Sequence, residues 1–286
     1  MKYGVKVPYP MAPCFDQLKR HRYMLTCLEH KFPKLIPSQI DQGKSLSLVG
    51  FGPSLHDTWQ DIKPPIMTMS GAHDFLIKRG IVPDYHCDMD PRPHKVAMLN
   101  PHPDVVYLMA SVCNPAMWIK VKGHKVLTWH AVSGDLTHSF LLKKDPGTLM
   151  VSGGSCIGLV SIHLGGVIGF NHFEIHAFDG SFKDGKRHAG KHWGYPHEEI
   201  DKEINGRVFK VSKIMENSNV EMEKLLQSFP VFTVFHGDGR MQWWLKQAGL
   251  NNATTADSEN VESIRNGKVV EITHKEAQEK GLIQAA

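Results

Sequence analysis

Residues 46–92 constrain the fold of this chain more than any other stretch, because short apolar runs there stop abruptly at turns built from glycine, serine and aspartate. Leu46, Leu48 and Val49 are followed at once by Gly50, Gly52 and Pro53, a pattern that predicts a buried strand ending in a tight glycine turn. Such a turn lets backbone approach a ligand closely. Ser54 and Asp57 then offer capping oxygens at a helix start, where free N–H groups hold phosphate. A second strand over 66–69 reaches Ser70-Gly71-Ala72 and a short amphipathic helix that ends at Gly80. After Pro83-Asp84 a third strand gives out at Asp88-Met89-Asp90. Two carboxylates one residue apart at a strand end can share a hard cation such as Mg²⁺, which also takes polyphosphate oxygens.

The same rhythm continues. Residues 105–109, 125–129, 173–178 and 229–235 are further short apolar runs bounded by turn formers, and helical stretches separate them. That alternation predicts an α/β, Rossmann-like domain with a mostly parallel sheet and helices on both faces. Ser152-Gly153-Gly154-Ser155 precedes a helix whose Ile157, Val160, Leu164 and Ile168 fall near one face, so these small residues sit at its positive end. The strand after that helix ends at Asp179. In an open α/β sheet, ligands collect at the carboxyl ends of strands. Gly50, Gly52, Pro53, Ser54, Ser70, Gly71, Asp88, Asp90, Ser152, Gly153, Gly154, Ser155 and Asp179 are all expected on that edge. Arg92, in the proline-rich loop after Asp90, can grip a phosphate with its guanidinium fork; an ordinary Asp–Arg surface pair accounts for it as well. The loop over 183–192 supplies Lys186, Arg187, His188, Lys191 and His192. These are candidate charge stabilisers, with His188 or His192 as general base toward an acceptor hydroxyl; a solvated basic loop is the competing reading. A zinc site from His188, His192 and His197 fits by spacing but lacks a helical frame.

GFGPSL, GIVPDYHCDMDPR and SGGSCIGLVSIHLGGVIGFNHFEIHAFDGSF, in that order, resemble the 6-hydroxymethylpterin diphosphokinase MptE-like family. The GIVPD…DMD part is similar to thiamine pyrophosphokinases. The glycine turn and the SGG segment also resemble bacterial sialyltransferases and flagellin-modifying transferases. The resemblance covers residues 45–250. It implies a nucleotide-dependent transferase, first a Mg²⁺-dependent diphosphokinase that takes ATP as donor and passes a pyrophosphoryl group to a pterin-like hydroxyl. On that reading Asp88 and Asp90 hold the metal, and Asp90, Asp179, Arg92 and His188 form the catalytic set. The alternatives are a glycosyltransferase using a nucleotide-sugar, which needs no metal, and a nucleotide-binding module without chemistry. One departure bears on the metal: a typical pyrophosphokinase has an Asp near the position of Ser70.

Composition narrows the rest. A length of 286 residues suits one large domain with additions, divided as an N-terminal, partly helical extension (1–45), a catalytic domain (46–250) and a polar tail (251–286). A net charge of +4 is too mild for general nucleic-acid binding, so the expected partners are a small nucleotide and a hydroxyl-bearing acceptor. Five cysteines without a C-x-x-C pair favour reduced thiols in a cytoplasmic setting, and no apolar run approaches the ~20 residues of a membrane helix. Residues 200–226 are rich in charge and read as partly helical. His236 and Arg240 lie in a turn expected to face the cleft, where they either touch the second substrate or form a plain turn.

Overall fold

A computed structural model of the protein describes residues 8–9, 16–131, 134–151, 153–191, 198–228 and 232–248. Eight short strands form one sheet: β1 (Ser45–Val49), β2 (Ile66–Met69), β3 (Tyr85–Asp88), β4 (Val106–Ala110), β5 (Lys125–Ala131), β6 (Met150–Val151), β7 (His172–His176) and, at the far edge, β10 (Phe232–His236). Their order is β10-β7-β1-β2-β3-β4-β5-β6 and every pairing is parallel. The parallel α/β architecture is the one the sequence predicts.

The period-two alternation of strand side chains builds a core on each face. From β1, β2 and β7, the side chains of Leu46, Leu48, Met67, Met69, Phe173 and Ile175 join the larger core, while Val49 and Ile66, with Ala177 just after β7, join the smaller one. α1 (Gln17–Glu29) and α5 (Pro115–Lys120) contribute Met24, Cys27, Met117 and Trp118 to the larger core; α2 (Leu55–Thr58) and α3 (Ala72–Ile77) contribute Leu55, Phe75 and Leu76 to the smaller. Both faces are therefore covered, which explains why β2 is buried at all of its positions. The segment ahead of β1 is tied into this sheet: Leu35 N–H donates to the Thr128 carbonyl at 2.8 Å, and Thr128 N–H donates to Pro33 at 2.8 Å.

α4 (His94–Ala97) follows β3, α6 (Asp135–Lys144) leads into β6, and α7 (Ile157–Val167) returns the chain from β6 to β7. A Cβ on Gly165 of α7 would meet Phe173 and Leu46, so this helix lies close against β1 and β7. Strand order reverses between β1, which runs on to β2, and β7, which is placed on the other side of β1. The crevice at such a reversal is where open α/β sheets bind ligands.

One region differs from expectation. Residues 200–226 were expected to be partly helical, but their first half is an antiparallel hairpin of β8 (Glu199–Ile204) and β9 (Arg207–Ser212). Its turn is Asn205-Gly206, with φ of 47° and 80°, the left-handed pair that tight hairpins need. α8 (Lys213–Ser228) and α9 (Arg240–Gln247) complete the described elements. No helix among the described residues is long and apolar enough to cross a membrane.

Candidate functional site at the carboxyl edge of the sheet

Because the strands are parallel, the turns after β1, β2, β3, β6 and β7 share one edge. The turn after β1 is pressed against the end of β7. Gly50 N–H donates to the His176 carbonyl at 2.9 Å and Gly52 N–H to the Ala177 carbonyl at 3.0 Å. A Cβ on Gly52 would lie 2.5 Å from Asp179 Oδ2 and 2.7 Å from the Ala177 oxygen, so glycine is required there by close approach. Asp179 is 4 % exposed. Its Oδ2 accepts Ser54 N–H at 2.8 Å and its Oδ1 accepts the Ser54 hydroxyl. Burial pushes the Asp179 carboxyl up, and the Ser54 bonds only partly offset that. Pro53 is buried beside them.

The second small-residue turn joins the first through Phe51. A side chain on Gly71 would collide with the Phe51 ring, and a Cβ on Gly190 would lie 3.0 Å from it. The His188 ring stacks on Phe51 at 5.9 Å between centroids. The third turn reaches the first through Phe178: Cβ atoms on Gly50 and Gly158 would lie 2.9 and 3.0 Å from that ring. Gly154 has φ 125°, Gly153 packs on His163, and Ser155 donates its N–H to Glu221 Oε2 of α8 at 3.1 Å and its hydroxyl to the same oxygen. Ser152, His192 and His197 lie outside the described residues.

Two of the donor sets expected to cradle phosphate thus hold the chain's own carboxylates, Asp179 on Ser54 and Glu221 on Ser155. Neither partner is legible from local sequence, because each arrives from a distant element.

The acidic pair after β3 is equally occupied. Asp88 is 4 % exposed, and its Oδ1 accepts N–H groups of Met89 (2.7 Å) and Asp90 (2.9 Å). Asp90 is gripped by Arg92: Nε lies 2.9 Å from Oδ1 and 3.0 Å from Oδ2, Nη2 is 2.5 Å from Oδ2, and the Arg92 N–H is 3.0 Å from Oδ1. Lys95 of α4, 6 % exposed, donates to Ser70 Oγ at 2.8 Å and lies 3.9 Å from Asp90 Oδ2. Burial pushes the Asp90 carboxyl up, but Arg92 and Lys95 outweigh it and the net shift is downward. Asp88 shifts upward, because burial and the Asp90 charge exceed the pull of Lys95.

Arg187, from the loop after β7, comes close enough to Arg92 that its proton affinity falls, first through burial and then through that like charge. Its Nε is buried without a hydrogen-bond partner among the described residues. The charge of Arg92, from the loop after β3, is thus felt at Arg187, from the loop after β7. On the other flank of the Ser54–Asp179 tie, a cavity of about 220 Å³ lies beneath the hairpin, bounded by Phe182, Lys183, Arg207, Phe209, Lys210 and Asp238. Arg240, expected at the cleft, is instead 2 % exposed and holds Glu216 (3.1 Å) and Glu223 (2.5 Å). His236 bonds Glu174 at 2.6 Å and stacks on His176.

A family model described as 6-hydroxymethylpterin diphosphokinase MptE-like matches residues 16–185, more than half of the chain, taking in the turns after β1, β2, β3 and β6 and Asp179 but not Arg187, His188 or the β8–β9 hairpin. The chain belongs to the MptE-like family. No curated protein matches it in sequence. Among solved structures, its fold is similar to that of the MAf glycosyltransferase from Magnetospirillum magneticum AMB-1, with a TM-score of 0.59, 16 % identity, and coverage of 77 % of this chain. The chain spans 37 % of that protein's length. At that identity the likeness is one of fold.

For this MptE-like chain, a divalent cation at Asp88 and Asp90 can be tested against the donor set. Mg²⁺ demands oxygen ligands at about 2.0–2.1 Å in octahedral array. Both oxygens of Asp90 face Arg92, Lys95 stands beside them, and one oxygen of Asp88 is bound by two backbone N–H groups. No group of three or more His, Cys, Asp or Glu side chains among the described residues is arranged to hold a metal. The arrangement does not fit Mg²⁺.

Proposed function

We propose that the chain is a nucleotide-dependent transferase, and that the donor is a nucleotide-sugar whose phosphate is held between Arg92 and Arg187. The observation that carries this reading is the Arg187 Nε, buried without a hydrogen-bond partner among the described residues, in a guanidinium that also feels the charge of Arg92. An anion relieves the positive field at Arg187, to which Arg92 adds although its fork is engaged by Asp90, and the Arg187 guanidinium can match phosphate oxygens bidentately. The glycine turn at residues 50–54 sets the floor of the crevice, with Asp179 as the residue that positions it. Ser70, Gly71, Gly153, Gly154 and Ser155 shape its walls.

The chemistry follows from these residues. Arg92 and Arg187 stabilise the charge that develops on the leaving phosphate as the glycosyl bond breaks. His188, next to Arg187 in sequence and fixed against Phe51, takes the proton of the acceptor hydroxyl as that oxygen attacks the anomeric carbon. A second reading has its own support. The family description favours pyrophosphoryl transfer from ATP to a pterin-like hydroxyl.

Thermal-shift titration with CMP- and UDP-sugars and with ATP, each in chelator and in Mg²⁺, separates the two. Saturable stabilisation by a nucleotide-sugar in chelator is the expected result. Stabilisation by ATP only, and only with Mg²⁺, overturns it in favour of the diphosphokinase.

A further inference from the structure

The acidic pair of this chain faces a cation that cannot dissociate. Lys95 projects from α4 toward the end of β3, and its ammonium is almost fully withdrawn from solvent. It donates to Ser70 Oγ at 2.8 Å, lies 3.9 Å from Asp90 Oδ2, and is near enough to Asp88 to favour that carboxylate's charged form. Ser70 itself adopts φ 54°, a left-handed conformation uncommon outside glycine, which carries the chain into the turn from which its hydroxyl meets Lys95. The lysine therefore touches one oxygen ligand from the turn after β2 and faces the carboxylates of the turn after β3. Those are the two strand ends a hard cation would bridge.

We propose that the Lys95 ammonium takes the place of a divalent ion in this site, making the acidic pair a fixed anchor for an internal cation. Lys95 is then a positioning residue: it holds the turns after β2 and β3 together beside the Arg92–Asp90 pair. The charges agree with this assignment. Lys95 and Arg92 balance Asp88 and Asp90, so an added ion of charge +2 would enter a site already neutralised and would meet two cations at short range. The proposal concerns the cation requirement of the site and holds whichever group the chain transfers, so failure of the nucleotide-sugar reading leaves it standing.

The test uses Mn²⁺ binding to the full chain, read by electron paramagnetic resonance and by thermal shift, without any substrate. Wild type is expected to show no saturable site. Lys95→Met, which keeps the length of the side chain and removes its charge, is expected to melt at a lower temperature and to gain a Mn²⁺ site. Saturating metal should raise its midpoint by at least about 3 °C, as binding to the folded state alone requires. That gain should vanish in Lys95→Met/Asp90→Asn. A wild-type Mn²⁺ site that Asp90→Asn abolishes would overturn the proposal, and this arm decides even if Lys95→Met fails to fold. A folded Lys95→Met chain that gains no Mn²⁺ site would also overturn it.

Discussion

Ser54 and Asp179, 125 residues apart, are joined by two hydrogen bonds, N–H to Oδ2 at 2.8 Å and hydroxyl to Oδ1, and this tie holds the glycine turn of β1 against the end of β7. Ser54→Ala removes one donor from a carboxylate that is 4 % exposed. A buried acceptor left short of its partner costs about 1–3 kcal/mol. Urea unfolding should report a loss in that range with an unchanged m-value; an unaltered midpoint would mean that the hydroxyl bond contributes nothing.

Gly52→Ala tests close approach directly. The added methyl meets Asp179 Oδ2 at 2.5 Å, an atom buried and held by Ser54 N–H, and a backbone oxygen at 2.7 Å, so neither can give way without disturbing the turn. Overpacking of this kind costs about 1–3 kcal/mol. Because the turn itself must move, nucleotide binding should weaken along with the melting temperature. A Gly52→Ala chain with wild-type affinity would show that the turn does not contact the ligand.

The hairpin and the ties just described mark where the sequence was readable and where it was not. Apolar runs that end at Gly50, Ser70, Asp88 and Asp179 announce strand ends, because burial on both faces demands continuous apolar strands and only turn residues can follow them. The β8–β9 hairpin hides behind its charges: in Glu199–Ile204 alternate residues are exposed, and the charge density suggests a helix when the period-two pattern goes unweighed. Asn205-Gly206 was the available signal. Lys95 and Glu221 gave none, and Arg187 was legible only as one of several basic residues in its loop, since what matters is which distant group each senses: Ser70 and Asp90, Ser155, and Arg92.

Acid should weaken this fold through His176. Burial, and then the charge of His236, lowers its pKa from 6.5 to about 3. Between those values the unfolded chain binds a proton that the folded chain does not, so stability falls as pH drops through that window. The slope for one such group is about 1.4 kcal/mol per pH unit. His176→Phe keeps the stacked ring and removes the titration. Its midpoint should depend less on pH between 6.5 and 4.5 than that of wild type, and an unchanged slope would assign the acid sensitivity elsewhere.

Arg240 should prove structural. It is 2 % exposed and pairs with Glu216, itself 1 % exposed, and with Glu223. Arg240→Met leaves the buried Glu216 with only Lys202 among the described residues, 3.3 Å away, as a cationic partner, and breaking such a pair from one side costs up to about 3–5 kcal/mol. The loss should appear in unfolding free energy. A variant of normal stability that has lost only activity would return Arg240 to the substrate.

Equilibrium titration of nucleotide-sugars against wild type and Arg187→Ala tests the central claim most directly. Loss of one guanidinium fork from a phosphate should weaken binding by at least about tenfold, equivalent to about 1.4 kcal/mol, while the melting temperature of the free protein holds or rises as repulsion from Arg92 is relieved. Equal affinity of the two proteins for a nucleotide-sugar would contradict the placement of the phosphate between Arg92 and Arg187.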